Sequence, residues 1–216
     1  SPIYGIGLIG HFLTASLISV PAAIMYANII IPSETKTDFP ADNSTKMYSG
    51  TMDALTRGTQ AGIEIFLNVA AMLIVVMALV FLINASLGVL PDFQGDPLTL
   101  ERFFGWLFAP LAWCMGIPWP ESQSAGELLG VKTILNEFVA YIYLADTSNY
   151  VLSEKSQLIM LYALCGFANF SSVGILLSGM TAMVPERRKD LISVSLKALW
   201  AALLASCMTG FIVGIL

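Results

Sequence analysis

From Phe66 to Ala85 the chain runs for twenty residues with only Asn68 and Asn84 breaking an otherwise apolar series. A helix rises about 1.5 Å per residue, so a run of that length crosses the roughly 30 Å hydrocarbon layer of a bilayer. A soluble core has no need of it. The remainder of the sequence points the same way. Of 216 residues, 56 % are hydrophobic and 12 % charged, about half the ~25 % charged residues of a typical soluble domain. Mean hydropathy is +0.77. The expected class is an all-α integral membrane protein.

Five hydrophobic regions follow along the chain. The first runs from about Gly5 to Ile31 and holds Pro21, which removes one helix hydrogen bond and bends the axis. Residues 32–61 read as a polar loop, rich in Ser, Thr, Asp, Asn and Lys, and expected on the cytoplasmic side. The second region, about Gly62 to Gly88, is the cleanest span. The third consists of two apolar pieces too short to cross, Phe103 to Ile117 and Glu127 to Leu144, parted by Pro118-Trp119-Pro120 and a short polar link. Segments of that length predict a re-entrant helical hairpin. The fourth region, about Gln157 to Met180, is long enough to span. Cys165-Gly166-Phe167-Ala168-Asn169-Phe170-Ser171-Ser172 interrupts it with poor helix-interior residues, which predicts a discontinuous helix. The fifth, Leu191 to Leu216, is a plain final span whose Ser206, Thr209, Gly210 and Gly214 suit close helix packing.

Basic residues set an expected orientation. Lys36, Lys46 and Arg57 lie in or beside the first polar loop, and Arg187, Arg188 and Lys189 precede the last helix. The two groups share a face if the third region is re-entrant, which places the C-terminus outside. The chain starts abruptly at Ser1, with neither initiator Met nor signal peptide, and reads as a piece of a longer protein.

Several chemistries lack their parts. A net charge of −5 with few basic residues gives no footprint for nucleic acid. Cys114, Cys165 and Cys207 stand singly in apolar segments, as packing residues do, and the one histidine, His11, cannot build a two-histidine metal site. There is no HExxH and no GxSxG, so no enzyme is expected.

Polar groups inside membrane segments are functional candidates. Glu137 leads them, in the second hairpin helix with Thr133 and Tyr141 one turn to either side and Asn136 and Ala140 flanking. Asn169 and Ser172 come next, three residues apart beside Gly166, with Phe167 and Phe170 available to stack on a flat ligand. Glu64 is expected at the N-terminus of the second helix, where the dipole favours a carboxylate. Two interrupted apolar elements that each carry polar groups point to a transporter's central site. The alternative is a non-transporting membrane scaffold or assembly subunit whose broken helices only pack.

The runs Asn136-Glu137-Phe138-Val139-Ala140-Tyr141, Ala163 to Ser172 and Gly105 to Trp113 are specific, as are Gly116 to Trp119, Asn68-Val69 and Pro185 to Asp190. Together they resemble the C-terminal half of the concentrative nucleoside transporter family, over nearly the whole chain. The resemblance implies a symporter of the cytoplasmic (inner) membrane that imports nucleosides with sodium or a proton and assembles as a homotrimer. It implies that Glu137, Asn169 and Ser172 bind the ribose, that Phe167 lines the same pocket, and that Ile65 lies near the base. Residues 1–216 would then be the C-terminal transport domain. The family's first re-entrant hairpin, whose polar tip reads the base and helps to hold sodium, is absent from this sequence and expected in a preceding half.

Overall fold

The computed structural model describes residues 7–32, 49–93, 95, 97–146 and 150–216. Among them are eight α-helices: α1 (Gly7–Ile30), α2 (Thr51–Leu87), α3 (Leu100–Cys114), α4 (Trp119–Ile134), α5 (Glu137–Ala145), α6 (Glu154–Leu164), α7 (Phe170–Met183) and α8 (Arg188–Ile215). Three of them, α1, α2 and α8, are long and apolar enough to cross a membrane. Most of α2 is bare in the single chain, with Phe66, Ile74 and Phe81 each at least 70 % exposed. A lone soluble chain would not leave such a surface to water, whereas lipid accepts it.

Helix α2 begins earlier than its hydropathy suggests. Thr51 to Gln60 belongs to the helix, so the polar loop expected over 32–61 is shorter at its C-terminal end. Local pairing explains why these polar residues are helical. Asp53 accepts from the Ser49 N–H at 3.0 Å and from Arg57 Nε at 2.8 Å, while Thr56 and Thr59 donate to the carbonyls of Met52 and Leu55. The i, i+4 pair of Asp53 with Arg57 stabilises the first turns without any apolar stripe, and the two threonine hydroxyls find acceptors within the helix. Glu64 therefore sits more than three turns inside α2, and Asp53 takes the first-turn position expected of it. Residues 33–48 of the loop, with Lys36 and Lys46, lie outside the described residues.

The third region also divides differently. The polar link is helical: α3 has already ended at Cys114, ahead of Gly116 at φ 95°, and Pro118-Trp119-Pro120 opens α4, with Pro120 in its first turn, where a missing N–H costs nothing. The segment Glu127 to Leu144, expected as one helix, is two, parted at Leu135–Asn136. Asn136 caps α5 by accepting from the Val139 N–H at 2.8 Å. The expected stripe of Thr133, Glu137 and Tyr141 is thus cut, with Thr133 in α4 and the other two in α5.

Hydrogen bonds fix the helix directions. Glu121 Oε2 accepts from the Ser153 N–H and hydroxyl, both at 3.0 Å, at the start of α4 and α6, and Lys132 Nζ donates to the Ala163 carbonyl at 2.8 Å near their ends. These two helices are parallel. Asn169 beyond the end of α6 bonds Glu137 at the start of α5, and the Tyr141 hydroxyl donates to the Leu161 carbonyl at 2.9 Å. Helix α5 therefore returns antiparallel to α4. Helix α3 packs along α4 at very close range. A Cβ on Gly126 would lie 2.5 Å from the Gly105 carbonyl oxygen, so the crossing admits no side chain there.

The buried core gathers Phe108, Ala112 and Met115 of α3 and its turn, Leu128 and Leu129 of α4, Ile159, Met160 and Leu164 of α6, and Leu203 of α8. His11 meets the core through Tyr162, with Nδ1 2.8 Å from the phenol oxygen. Of the cysteines expected as buried packing residues, Cys207 is buried and Cys165 partly so, but Cys114 is exposed.

A candidate ligand site at two helix breaks

A helix broken inside a membrane must find partners for the carbonyls its break releases. Residues 165–169 separate α6 from α7, so the last carbonyls of α6 lose their usual donors. Three neighbouring helices supply replacements. The Tyr141 hydroxyl of α5 donates to the Leu161 carbonyl and Lys132 Nζ of α4 to the Ala163 carbonyl, while Thr209 Oγ1 of α8 lies 3.1 Å from the Tyr162 carbonyl and shares its one proton with the Ser206 carbonyl at 2.7 Å. Thr209 and Ser206 were expected only as packing residues. Both instead serve the break, since Lys132 Nζ also donates to Ser206 Oγ at 2.7 Å.

Past the break, α7 starts with a capping box. The Asn169 carboxamide oxygen accepts from the Ser172 N–H at 2.6 Å, and the Asn169 N–H donates to Ser172 Oγ at 3.1 Å. This leaves the Asn169 amide nitrogen free to turn outward, and it donates to Glu137 Oε2 at 3.0 Å. Glu137 is the first residue of α5, so its carboxylate stands at one helix N-terminus and faces a second. Both dipoles favour negative charge there. Asn169 is fully buried and Ser172 nearly so, while Glu137 is half-buried. Its Oε1 has no hydrogen-bond partner among the described residues, and no cation pairs with it there.

The structure thus brings Glu137, Asn169 and Ser172 together from 32 residues apart in sequence. Phe167 stands beside them, 58 % exposed, in the link that precedes Asn169. It lines a cleft of about 300 Å³ between α7 and α8, with Ser172, Val173, Leu176, Leu199 and Ala202 among its walls. That cleft is almost wholly apolar, and Glu137 and Asn169 do not line it. The polar groups form a separate patch at its edge. Ile65 lies in α2, but its side chain is outside the described residues.

Sequence reasoning missed Lys132. It occupies the last turn of α4 and is completely buried. A lysine in an apolar stretch was a legible signal, but its partners come from two other helices.

Residues 11–214 match the family model described as Na+ dependent nucleoside transporter C-terminus. The chain is 40 % identical over 213 residues to an uncharacterized transporter of Haemophilus influenzae, covering 95 % of this chain and 51 % of that protein. It is 37 % identical to the nucleoside permease NupC of Helicobacter pylori, covering 95 % of this chain and 50 % of the relative. Against the sodium/nucleoside cotransporter 1 of Rattus norvegicus it is 32 % identical, over 94 % of this chain and 34 % of the relative. Among solved structures, CNTnw in an inward-facing substrate-bound state superposes with a TM-score of 0.79 at 35 % identity, over 95 % of this chain and 50 % of that one. The chain spans about half the length of the bacterial relatives it matches and about a third of the mammalian one. By this match, the chain belongs to the family of Na+-dependent nucleoside transporters, to whose C-terminal part residues 11–214 correspond.

Proposed function

We propose that this chain supplies the ribose-binding half of an ion-coupled symporter that imports nucleosides across the cell membrane. The observation that carries the reading is the Asn169–Glu137 hydrogen bond at the meeting of two helix N-termini. An ionised carboxylate is an acceptor-only group, and a ribose offers hydroxyl donors. Glu137 keeps Oε1 for one of them, while Asn169 and Ser172 stand next to it to take other sugar oxygens. Phe167 presents an exposed ring to the flat base, and Ile65 belongs to the same reading.

The re-entrant hairpin, expected with Phe103–Ile117 and Glu127–Leu144 as its arms, is assigned instead to α4 and α5 with its tip at Leu135–Asn136, and α6 with α7 acts as a discontinuous span. Residues 1–216 form the C-terminal transport domain, and the ion site and the base-reading tip belong to the half that these residues do not include. The relatives' names favour sodium over a proton as the coupling ion. Assembly as a homotrimer would cover part of the bare apolar face of α2.

The test is uptake by the intact protein in liposomes. An inward sodium gradient should drive saturable uptake of labelled uridine or adenosine, with choline in place of sodium abolishing it and free nucleobase failing to compete. A proton gradient without sodium distinguishes the other coupling ion. Absence of any saturable nucleoside binding or uptake sinks the reading and favours a scaffold.

A further inference from the structure

Among the buried described residues Lys132 is the one Lys, Arg, Asp or Glu, and the proposed binding of a nucleoside does not use it. It is completely buried. Its ammonium donates to the Ala163 carbonyl at 2.8 Å and to Ser206 Oγ at 2.7 Å. The Ser206 hydroxyl proton turns the other way, toward the carbonyls of Ala202 at 2.9 Å or Leu203 at 3.0 Å, so its oxygen faces Lys132 as an acceptor. Among the described residues no carboxylate lies within ion-pair distance of Lys132. The direct ligands of the charge are therefore oxygen dipoles, and the Glu137 carboxylate acts on it only from beyond ion-pair distance. Lys132 stands in the last turn of α4 and binds the last turn of α6, so two negative helix ends point toward it.

This is the environment in which broken helices hold a free sodium ion: released carbonyls, a hydroxyl and the C-terminal ends of half-helices. A buried cation without a counter-ion is expensive, and an apolar side chain of similar length would fill the same volume at less cost. A Cβ on Gly166 would lie 2.6 Å from Ser206 Cβ and 3.6 Å from Lys132 Nζ, so the break itself is closed tightly over the ammonium. Lys132 also lies five residues before Glu137, on the other side of the α4–α5 turn. Its carbonyl partner, Ala163, lies six residues before Asn169, across the α6–α7 break.

We propose that the Lys132 ammonium is a tethered cation occupying a built cation site at the C-terminal ends of α4 and α6. By pinning the two breaks to each other and to α8, it is a positioning residue for Glu137 and Asn169. The inference rests on the proposed function for its effect on nucleoside binding, but not for the site itself. A site filled from within the chain leaves no place there for a coupling ion.

The experiment uses the intact protein and the variants Lys132→Ala, Lys132→Met and Ser206→Ala. Thermal midpoint and nucleoside affinity are measured in ammonium chloride and in choline chloride, at equal ionic strength and fixed sodium. Lys132→Ala opens the site, so its midpoint should fall in choline and recover in ammonium. Its nucleoside affinity should drop at least about tenfold in choline and recover in part with ammonium. Lys132→Met fills the space with an apolar chain, so it should bind as weakly and gain nothing from ammonium. Should Lys132→Ala fail to fold, Ser206→Ala keeps the ammonium and removes one ligand. It should weaken nucleoside binding by about threefold or more, with the sodium dependence of uptake unchanged. The proposal is overturned if ammonium acts equally on the parent and on Lys132→Ala, if Lys132→Met binds within about twofold of the parent, or if Ser206→Ala binds as the parent does. The midpoint needs no nucleoside. If the parent binds none, the transporter reading falls, and the ammonium response still decides the site.

Discussion

The Asn169 amide nitrogen donates to Glu137 Oε2 at 3.0 Å, joining the first residue of one short helix to the cap of another. The bond sets the carboxylate's orientation before any ligand arrives. Preorganisation of this kind spares a ligand the ordering of the groups that bind it.

Replacing Glu137 by Gln keeps the shape, removes the charge and turns one acceptor into a donor. One sugar hydroxyl then loses its partner. Glu137→Gln should lower ribonucleoside affinity at least about tenfold, equivalent to roughly 1.4 kcal/mol. A deoxynucleoside lacking the matching hydroxyl should lose much less. Equilibrium binding by calorimetry on the intact protein checks this, and unchanged affinity for both ligands would make Glu137 a packing residue.

Asn169 has two tasks, and two substitutions part them. Serine also caps helices well but is too short to reach Glu137. Asn169→Ser should keep a thermal midpoint near that of the parent while nucleoside affinity falls about tenfold. Asn169→Ala should lose the affinity and also about 0.5–2 kcal/mol of stability, through the missing cap. Should Asn169→Ser bind as tightly as the parent, Asn169 is a cap and nothing more.

The break after α6 depends on side-chain donors from three helices. Tyr141→Phe removes the donor to the buried Leu161 carbonyl without changing the ring. An unsatisfied buried acceptor costs about 1–3 kcal/mol. The variant should melt several degrees lower in detergent, and a midpoint equal to the parent's would show that another group takes the carbonyl.

The re-entrant reading of α4 and α5 makes a topological prediction. The Glu121–Ser153 hydrogen bonds place the start of α4 beside the start of α6. Single cysteines at Trp119 and Val151, both exposed, should therefore label from the same membrane face in a background without the native cysteines. Labelling from opposite faces would require α4 or α5 to cross.

The sequence by itself determined the class and most of the helices. Long apolar runs demand a bilayer, whatever else the chain does, because the hydrophobic term acts on each residue locally. Gly, Asn and Ser at 165–172 marked one break for an equally local reason, low helix propensity. Asn169 and Ser172 could be paired in advance by their three-residue spacing, and the structure adds that they form a capping box. The tertiary structure decided what depends on distant partners. Asn136 before Glu137 is a local cap signal within Glu127 to Leu144, but whether the backbone turns at Leu135–Asn136 depends on what covers it. Polar residues 51–60 look like a loop until their i, i+4 pairs are seen to form. The pairing of Glu137 with Asn169, and the closure of the α6 end by Tyr141, Thr209 and Lys132, need helices from three parts of the chain to meet. A broken helix in lipid can announce itself by composition. Which side chains satisfy its freed carbonyls depends on how its neighbours cross it, and that is settled only when they pack.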